Sequence, residues 1–189
     1  MGVGLNHRTK AMKAILLCLW DDAKKTKKRE QQFSPQLNKV MGSFPDWLER
    51  PSDSTYWMTG KPSSGKSTLM KSILAQPQLQ SYLEKWAGGL PLVVVTFYAW
   101  HAGFTLQKSF SGLKRTLLVQ ALHSHPRLLT IVVPRRWAVV QILRGNTTFP
   151  LWENWEVDES FDALLSESGK SLRLVIFIDG LDEFDVDAN

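Results

Sequence analysis

The chain has 189 residues, of which 43% are hydrophobic and 22% are charged, and its formal net charge is +5. This balance is typical of a globular domain and argues against global disorder. The single cysteine, Cys18, excludes an intramolecular disulfide and favours a reducing, intracellular and cytoplasmic location. No apolar run reaches the roughly 20 residues that a transmembrane helix needs, so no membrane span is expected. The positive charge allows contact with nucleic acid, but no clear nucleic-acid signal accompanies it.

Residues 1–50 are predicted to be a helical extension and linker. Apolar residues recur every three or four positions in Lys10–Arg29, which predicts a helix with one apolar face. The basic residues at its end are either a solvated helix terminus or a contact for an anionic surface or partner. Gln31–Val40 contains a Ser-Pro break and is predicted to be a connection, and Phe44–Pro51 is predicted to be a short helical turn.

The next stretch matches the phosphate-binding loop pattern G-x-x-x-x-G-K-[ST] without a mismatch. A short strand, Tyr56–Thr59, is predicted before it and a helix, Ser67–Leu74, after it. Loop amides and the helix N-terminus would point into one hollow that suits a polyphosphate, and a Gly/Ser-rich surface turn is the alternative. The predicted nucleotide-binding residues are Gly60, Lys61, Pro62, Ser63, Ser64, Gly65, Lys66, Ser67 and Thr68. Lys66 would place its charge on the terminal phosphates, and the Ser67 hydroxyl is a predicted Mg²⁺ ligand.

A second stretch, Leu172–Asp185, is an apolar run that ends abruptly in acidic residues. It predicts a fully buried parallel strand with carboxylates at its C-terminal end, which is where ligands bind in open α/β sheets. Asp179 is therefore the predicted Mg²⁺ partner of Ser67. Asp182 and Glu183 are the predicted catalytic residues, placed to orient or deprotonate an attacking water. A solvated acidic turn after a plain strand is the alternative.

The remaining sequence predicts alternating helices and strands. The predicted elements are a helix at Pro77–Trp86, a strand buried on both faces at Leu92–Tyr98, a helix at Leu106–Leu122 capped by Thr105, and a helix at Trp152–Leu165. Leu128–Leu143 is compatible with either a helix or a strand. The order of elements predicts an α/β fold, specifically an incomplete P-loop NTPase three-layer sandwich with a mostly parallel sheet over residues 51–189.

Four stretches of the sequence resemble the NACHT class of signal-transducing P-loop NTPases, and most nearly its fungal group and the related nephrocystin-like N-terminal domain. They are Trp57–Lys71, Thr96–Trp100, Leu106–Ser109 with Leu113–Leu118, and Phe177–Asp185. The last is the most specific, because a small residue follows the metal aspartate and an acidic pair comes two positions later. The first and last correspond to the Walker A and Walker B motifs.

The resemblance implies a nucleotide-driven switch that binds ATP or GTP with Mg²⁺, self-associates and acts on protein partners. The sequence ends at Asn189, just past the acidic motif, so the family's later sensor residues and its helical and winged-helix parts are expected to be absent. The transition state of hydrolysis would then lack the positive charge that those later parts supply. Three functions are left open: nucleotide binding with weak hydrolysis, an interaction fragment without turnover, and a small-molecule P-loop kinase.

Overall fold

The computed structural model describes residues 35–50, 55–59, 65–99, 105–143, 151–181 and 184. The predicted helix at Lys10–Arg29 lies outside them. The described residues form a mixed α/β structure with seven α-helices and a two-stranded parallel sheet. They divide into two compact units, an N-terminal unit that ends at Leu92 and a C-terminal unit that begins at Val93. The complete three-layer sandwich stays a prediction.

The N-terminal unit contains three helices, α1 (Pro35–Leu48), α2 (Lys66–Leu74) and α3 (Pro77–Ala87). Helices α2 and α3 confirm the predictions for those stretches. Helix α1 shows that the predicted connection at Gln31–Val40 was wrong from Pro35 onward. A proline in the first turn of a helix loses no hydrogen bond, so the Ser-Pro step starts this helix and does not interrupt it.

The segment 55–59 is not a strand, so the prediction for Tyr56–Thr59 was wrong. The Tyr56 ring lies 5.8 Å from the ring of Phe44 and 5.5 Å from that of Trp47, and its hydroxyl lies 2.7 Å from the Ser43 Oγ. Side-chain contacts with α1 therefore organise this segment. Phe44 is buried at this contact, whereas Trp47 is half-buried.

The sheet of the C-terminal unit consists of β1 (Leu92–Tyr98) and β2 (Arg173–Asp179), and both strands confirm their predictions. The prediction that they are buried on both faces was wrong. Burial alternates along β1, and the face formed by its residues Val93, Val95 and Phe97 packs into the core together with Leu174, Ile176 and Ile178 of β2. The residues of the opposite face are half-buried in β1, and Val175 of β2 is buried there, so the opposite face is covered less completely than the first.

Helices of the C-terminal unit cover the first face. They are a 3₁₀ turn at Thr105–Lys108, α4 (Phe110–Ser124), a 3₁₀ turn at Pro126–Leu128, α5 (Leu129–Val132), α6 (Pro134–Ile142) and α7 (Asn154–Glu167). The undecided stretch 128–143 is thus helical and is interrupted before Pro134. None of the helices in the described residues has the length and hydrophobicity needed to cross a membrane.

The predicted helix at Leu106–Leu122 begins later than expected. Its first turn is the separate 3₁₀ turn, and Ser109, not Thr105, caps α4 by accepting a hydrogen bond from the Gly112 N–H at 3.1 Å. Two large apolar residues of these helices are more than half exposed, Phe110 on α4 and Trp155 on α7. Both lie in the first turn of their helix, where fewer neighbouring residues cover them.

Gln120 of α4 closes the outer edge of β1. The Thr96 N–H donates a hydrogen bond to the Gln120 Oε1 at 2.8 Å, and the Gln120 Nε2 donates one to the Thr96 carbonyl at 2.6 Å. In a parallel pair alternate residues bond to the neighbouring strand, so the backbone groups of Thr96 point away from β2. The carboxamide takes the place of a third strand at this position and protects an edge that would otherwise be open to pairing.

Replacing Gln120 with glutamate is expected to destabilise the protein by about 1–3 kcal/mol, because a carboxylate cannot donate to the Thr96 carbonyl and leaves it unpaired. Urea denaturation followed by circular dichroism would measure the change. The exposed Gln141 on α6 supplies a matched control, and Gln141→Glu is expected to change stability by no more than about 0.5 kcal/mol. Equal stability of the two variants would contradict the role given to Gln120.

Candidate functional site

Gly65 is the point at which the predicted phosphate loop becomes a helix. Its φ of 84° and ψ of 19° lie in the left-handed region, which glycine adopts without strain. Helix α2 starts at the next residue, Lys66, and the Leu69 N–H donates to the Gly65 carbonyl at 2.8 Å. The left-handed backbone conformation at this position therefore explains why the second residue of the motif pair is a glycine. Gly60, Lys61, Pro62, Ser63 and Ser64 lie outside the described residues.

The first turn of α2 has the features of an anion site. Lys66, Ser67 and Thr68 occupy it, the turn contains no acidic residue, and no side chain caps it. Ser67 is exposed, whereas Lys66 and Thr68 are half-buried. The N–H groups of a first helical turn and the positive end of the helix dipole favour an anion such as a phosphate. Buried Leu69, Met70 and Ile73 anchor the helix from its other side.

Asp179 is the last residue of β2, as the sequence predicted, and its carboxylate is half-buried. It is followed by Gly180, whose φ is 77°. The Asp179 carbonyl accepts a hydrogen bond from the Ala99 N–H at 2.9 Å, which joins the C-terminal ends of the two strands. Asp182 and Glu183, the predicted catalytic residues, lie outside the described residues.

The structure adds Tyr98 to this end of the sheet. In a parallel ladder, a bond from the Ala99 N–H to the Asp179 carbonyl places Tyr98 directly opposite Asp179, with both side chains on one face. Burial, and secondly the charge of Asp179, raise the pKa of the Tyr98 hydroxyl above its ordinary value. The phenol is therefore uncharged at neutral pH. The sequence interpretation did not single out Tyr98 because it predicted this strand to be buried on both faces, although the hydroxyl at the strand terminus was a usable signal.

The predicted site residues fall in both units. Gly65, Lys66, Ser67 and Thr68 lie together in the N-terminal unit, and Asp179 belongs to the C-terminal unit. The pairing of Ser67 with Asp179 around one metal ion stays a prediction.

The donor chemistry fits Mg²⁺ bound together with a phosphate ligand. Among the described residues, no three His, Cys, Asp or Glu side chains are grouped so that they could hold a metal ion by themselves. Mg²⁺ commonly binds through one or two carboxylates, with substrate phosphates and waters completing its shell. A single carboxylate such as Asp179, with a serine hydroxyl as a second ligand, is a donor set of this kind.

Comparison with known protein families gives a match over most of the chain. The family described as Nephrocystin 3, N-terminal matches residues 40–189. The chain belongs to this family. The matched range includes every predicted site residue, from Gly60 to Glu183, and confirms the resemblance to the nephrocystin-like N-terminal domain. No curated protein and no solved structure matches the chain in the corresponding comparisons.

Proposed function

We propose that the chain binds a nucleoside triphosphate with Mg²⁺ and acts as the N-terminal part of a NACHT-type regulatory switch. The observation that carries this proposal is the left-handed Gly65, which starts α2 at Lys66 within a complete phosphate-loop pattern. Membership of the nephrocystin 3 N-terminal family is consistent with a NACHT-like regulatory region. A switch of this kind would work in the cytoplasm, which suits a chain with one cysteine.

Each candidate residue has a role in the proposal. The N–H groups of the first turn of α2 and the Lys66 ammonium bind the phosphates, and Ser67 and Asp179 are the protein ligands of Mg²⁺. When bound, Mg²⁺ neutralises charge on the phosphate oxygens. Asp182 and Glu183 orient or deprotonate the attacking water, which makes the chain a slow phosphohydrolase. These groups contact phosphates and not the base, so the proposal covers both ATP and GTP.

A second candidate is an interaction module that binds partners or a second copy without turnover. Exposed apolar side chains favour it, since Ile142, Leu151 and Trp155 are 77%, 85% and 55% exposed. Exposed apolar residues of this size are common at protein interfaces. Phosphate release from ATP in the absence of any acceptor separates the candidates, because an interaction module releases none and a small-molecule kinase needs an acceptor.

Replacing Lys66 with alanine is expected to weaken Mg²⁺–ATP binding by about tenfold or more, because a hydrogen bond to a charged group contributes about 1.5–3 kcal/mol. Fluorescence anisotropy with a labelled ATP analogue, repeated with labelled GTP, would measure the affinities. Lys85→Ala is the matched control, since Lys85 is an exposed lysine on α3 that pairs with Glu49 at 3.3 Å. The proposal fails if wild type and Lys66→Ala bind the nucleotide equally well.

A further inference from the structure

An apolar stripe follows the exposed face of α6 and reaches the first turn of α7. Arg135, Val139 and Ile142 are spaced four and three residues apart, so they share one face of α6. Val139 and Ile142 are exposed, and so is Trp155 of α7. The Arg135 guanidinium lies 5.4 Å from the centre of the Trp155 ring, which joins the two helices at this surface. Val139, Ile142 and Trp155 together form the α6–α7 stripe.

A groove beside the stripe gives this surface depth. Its walls come from the segment that leads into α6 and from the side of α7, and they include Ile131, Trp155 and Ala163. Glu159 lies at the same groove and accepts a hydrogen bond from Arg135 at 3.0 Å. A groove with apolar walls and an adjoining apolar stripe has the shape that accepts one face of an amphipathic helix.

The charge around the stripe is negative. Helix α7 contains no lysine or arginine and five acidic residues, which are Glu156, Asp158, Glu159, Asp162 and Glu167. Helix α6 contributes two arginines, so the two helices together are acidic in a chain whose net charge is +5. Complementary charge selects the partner of a surface more strongly than apolar area does. The helix that fits here therefore has basic residues beside its apolar face.

The segment Lys10–Arg29 has this pattern in its sequence. Its predicted apolar face consists of Met12, Ile15, Leu16 and Leu19, and the segment carries seven basic residues and two acidic ones. Twenty residues of helix are about 30 Å long, whereas the nine residues of α6 span about 14 Å. The segment is thus long enough to cover the stripe and still place basic residues beside α7.

We infer that Lys10–Arg29 folds as an amphipathic helix and packs its apolar face on the α6–α7 stripe of the same chain. Its basic residues then lie beside the acidic residues of α7. The packing needs no nucleotide, so the inference does not rest on the proposed function. A protein partner that binds at the stripe has to displace this segment first.

Cys18 makes the position of the segment measurable, because it is the only cysteine of the chain. It lies beside the predicted apolar face and not within it, so a label there leaves the face free. Benzophenone maleimide is attached to Cys18 of the full chain, the dilute protein is irradiated, and the cross-linked peptides are identified by mass spectrometry. We expect cross-links within one molecule to α6 or to the first turn of α7, with a yield that does not rise with protein concentration.

Substitutions in the segment test whether its apolar face makes the contact. Replacing Leu16 and Leu19 with serine should lower the equilibrium constant for packing by about tenfold for each residue, and the cross-link yield should fall with it. Leu17→Ser is the matched control. Leu17 lies on the opposite side of the predicted helix, so its replacement should leave the yield unchanged.

Substitutions in the stripe test the other side of the contact. Val139→Ser combined with Ile142→Ser should reduce the yield as strongly as the segment variant does, and both positions are exposed. Gln141→Ser on the same helix is the matched control, because Gln141 is exposed but lies off the face of Val139 and Ile142. Far-UV circular dichroism of each variant checks that its helices are retained.

Four results would overturn the inference. The first is cross-linking of Cys18 to another part of the chain, or to nothing. The second is cross-linking only between molecules, with a yield that rises with concentration, which would indicate a second copy as the occupant. The third is absence of the cross-link in a protein that sediments with vesicles of phosphatidylcholine and phosphatidylserine, since the segment would then bind a lipid surface. The fourth is equal yield in the serine variants and their controls.

Discussion

Replacing Gly112 with alanine is expected to lower the free energy of unfolding by about 3 kcal/mol, the upper range for forcing an extra carbon into a packed site. A Cβ on Gly112 would lie 1.6 Å from the Leu106 carbonyl oxygen and 2.6 Å from its carbonyl carbon. These are backbone atoms of the 3₁₀ turn, so a rotamer change cannot relieve the overlap. Helix propensity favours alanine over glycine by only about 1 kcal/mol, and the steric term should therefore dominate.

Guanidinium denaturation followed by far-UV circular dichroism would measure this loss. Gly42 in α1 is the matched control, because a Cβ there meets no atom within 4 Å. Gly42→Ala should leave the protein unchanged or stabilise it by up to about 1 kcal/mol. If Gly112→Ala were as stable as the wild type, the 3₁₀ turn would be free to move away from α4, and the close approach would have no energetic consequence.

The close approach at Gly112 also explains why the start of α4 could not be predicted from the sequence. Apolar residues spaced three or four apart, such as Leu106, Phe110 and Leu113, are compatible with a continuous helix and with a 3₁₀ turn followed by a helix. Thr105 and Ser109 are both good caps. What decides between them is that the turn folds back over a residue without a side chain, and this contact is tertiary.

The strands show the same division between local and non-local information. Both strands could be predicted from their apolar runs: β1 ends at Tyr98 as predicted, and β2 ends at Asp179, the first acidic residue after its run. Their burial could not, since a run of apolar residues does not reveal how many layers cover the sheet. The segment at Tyr56–Thr59 has strand-like composition, but a strand also needs a hydrogen-bonded neighbour, and contacts with Phe44 determine its structure instead.

Site residues that belong to a local pattern could be predicted, and a residue that depends on register could not. The motif identified Gly65 and Lys66, and the structure provides the positive φ and the helix start that the motif requires. Tyr98 comes to lie opposite Asp179 only when β1 and β2 are aligned. The two residues are 81 positions apart in the sequence, so no local pattern connects them.

Arg136→Met is expected to lower the free energy of unfolding by about 3 kcal/mol, because removing one partner of a buried ion pair leaves the other charge uncompensated. Arg136 is 7% exposed. Its Nη2 and Nε donate to the two carboxylate oxygens of Glu156 at 2.7 and 3.2 Å, and its guanidinium lies 4.4 Å from the centre of the Trp152 ring. The substitution retains an apolar side chain at position 136. The Glu156 carboxylate then keeps the hydrogen bond that the Glu153 N–H donates to it at 3.2 Å. The pair joins α6 to α7, so its loss should weaken the contact between these helices.

The loss of folding stability caused by Arg136→Met should depend on pH in a defined direction. Burial alone would raise the pKa of Glu156, but hydrogen bonds from Arg136 and the Glu153 N–H, together with the charges of Arg136 and Arg135, lower it below its ordinary value of 4.5. A carboxyl group with a lowered folded-state pKa stabilises the protein above its unfolded-state pKa, and this contribution is lost as the pH falls through the folded-state value. The difference between wild type and Arg136→Met should therefore be complete at pH 7 and shrink below about pH 4.5.

The neighbouring arginine is the matched control for this prediction. Arg135 is exposed, donates to Glu159 at 3.0 Å and lies 5.4 Å from the centre of the Trp155 ring, so Arg135→Met should cost less than about 1 kcal/mol. In a double-mutant cycle, Arg136→Met with Glu156→Leu should recover most of the lost stability, since both charges are then removed together. If the double variant is no more stable than Arg136→Met, the loss comes from other contacts of Arg136, such as its packing against Trp152 or its hydrogen bond to the Leu151 carbonyl at 3.3 Å, and the uncompensated Glu156 charge is not its cause.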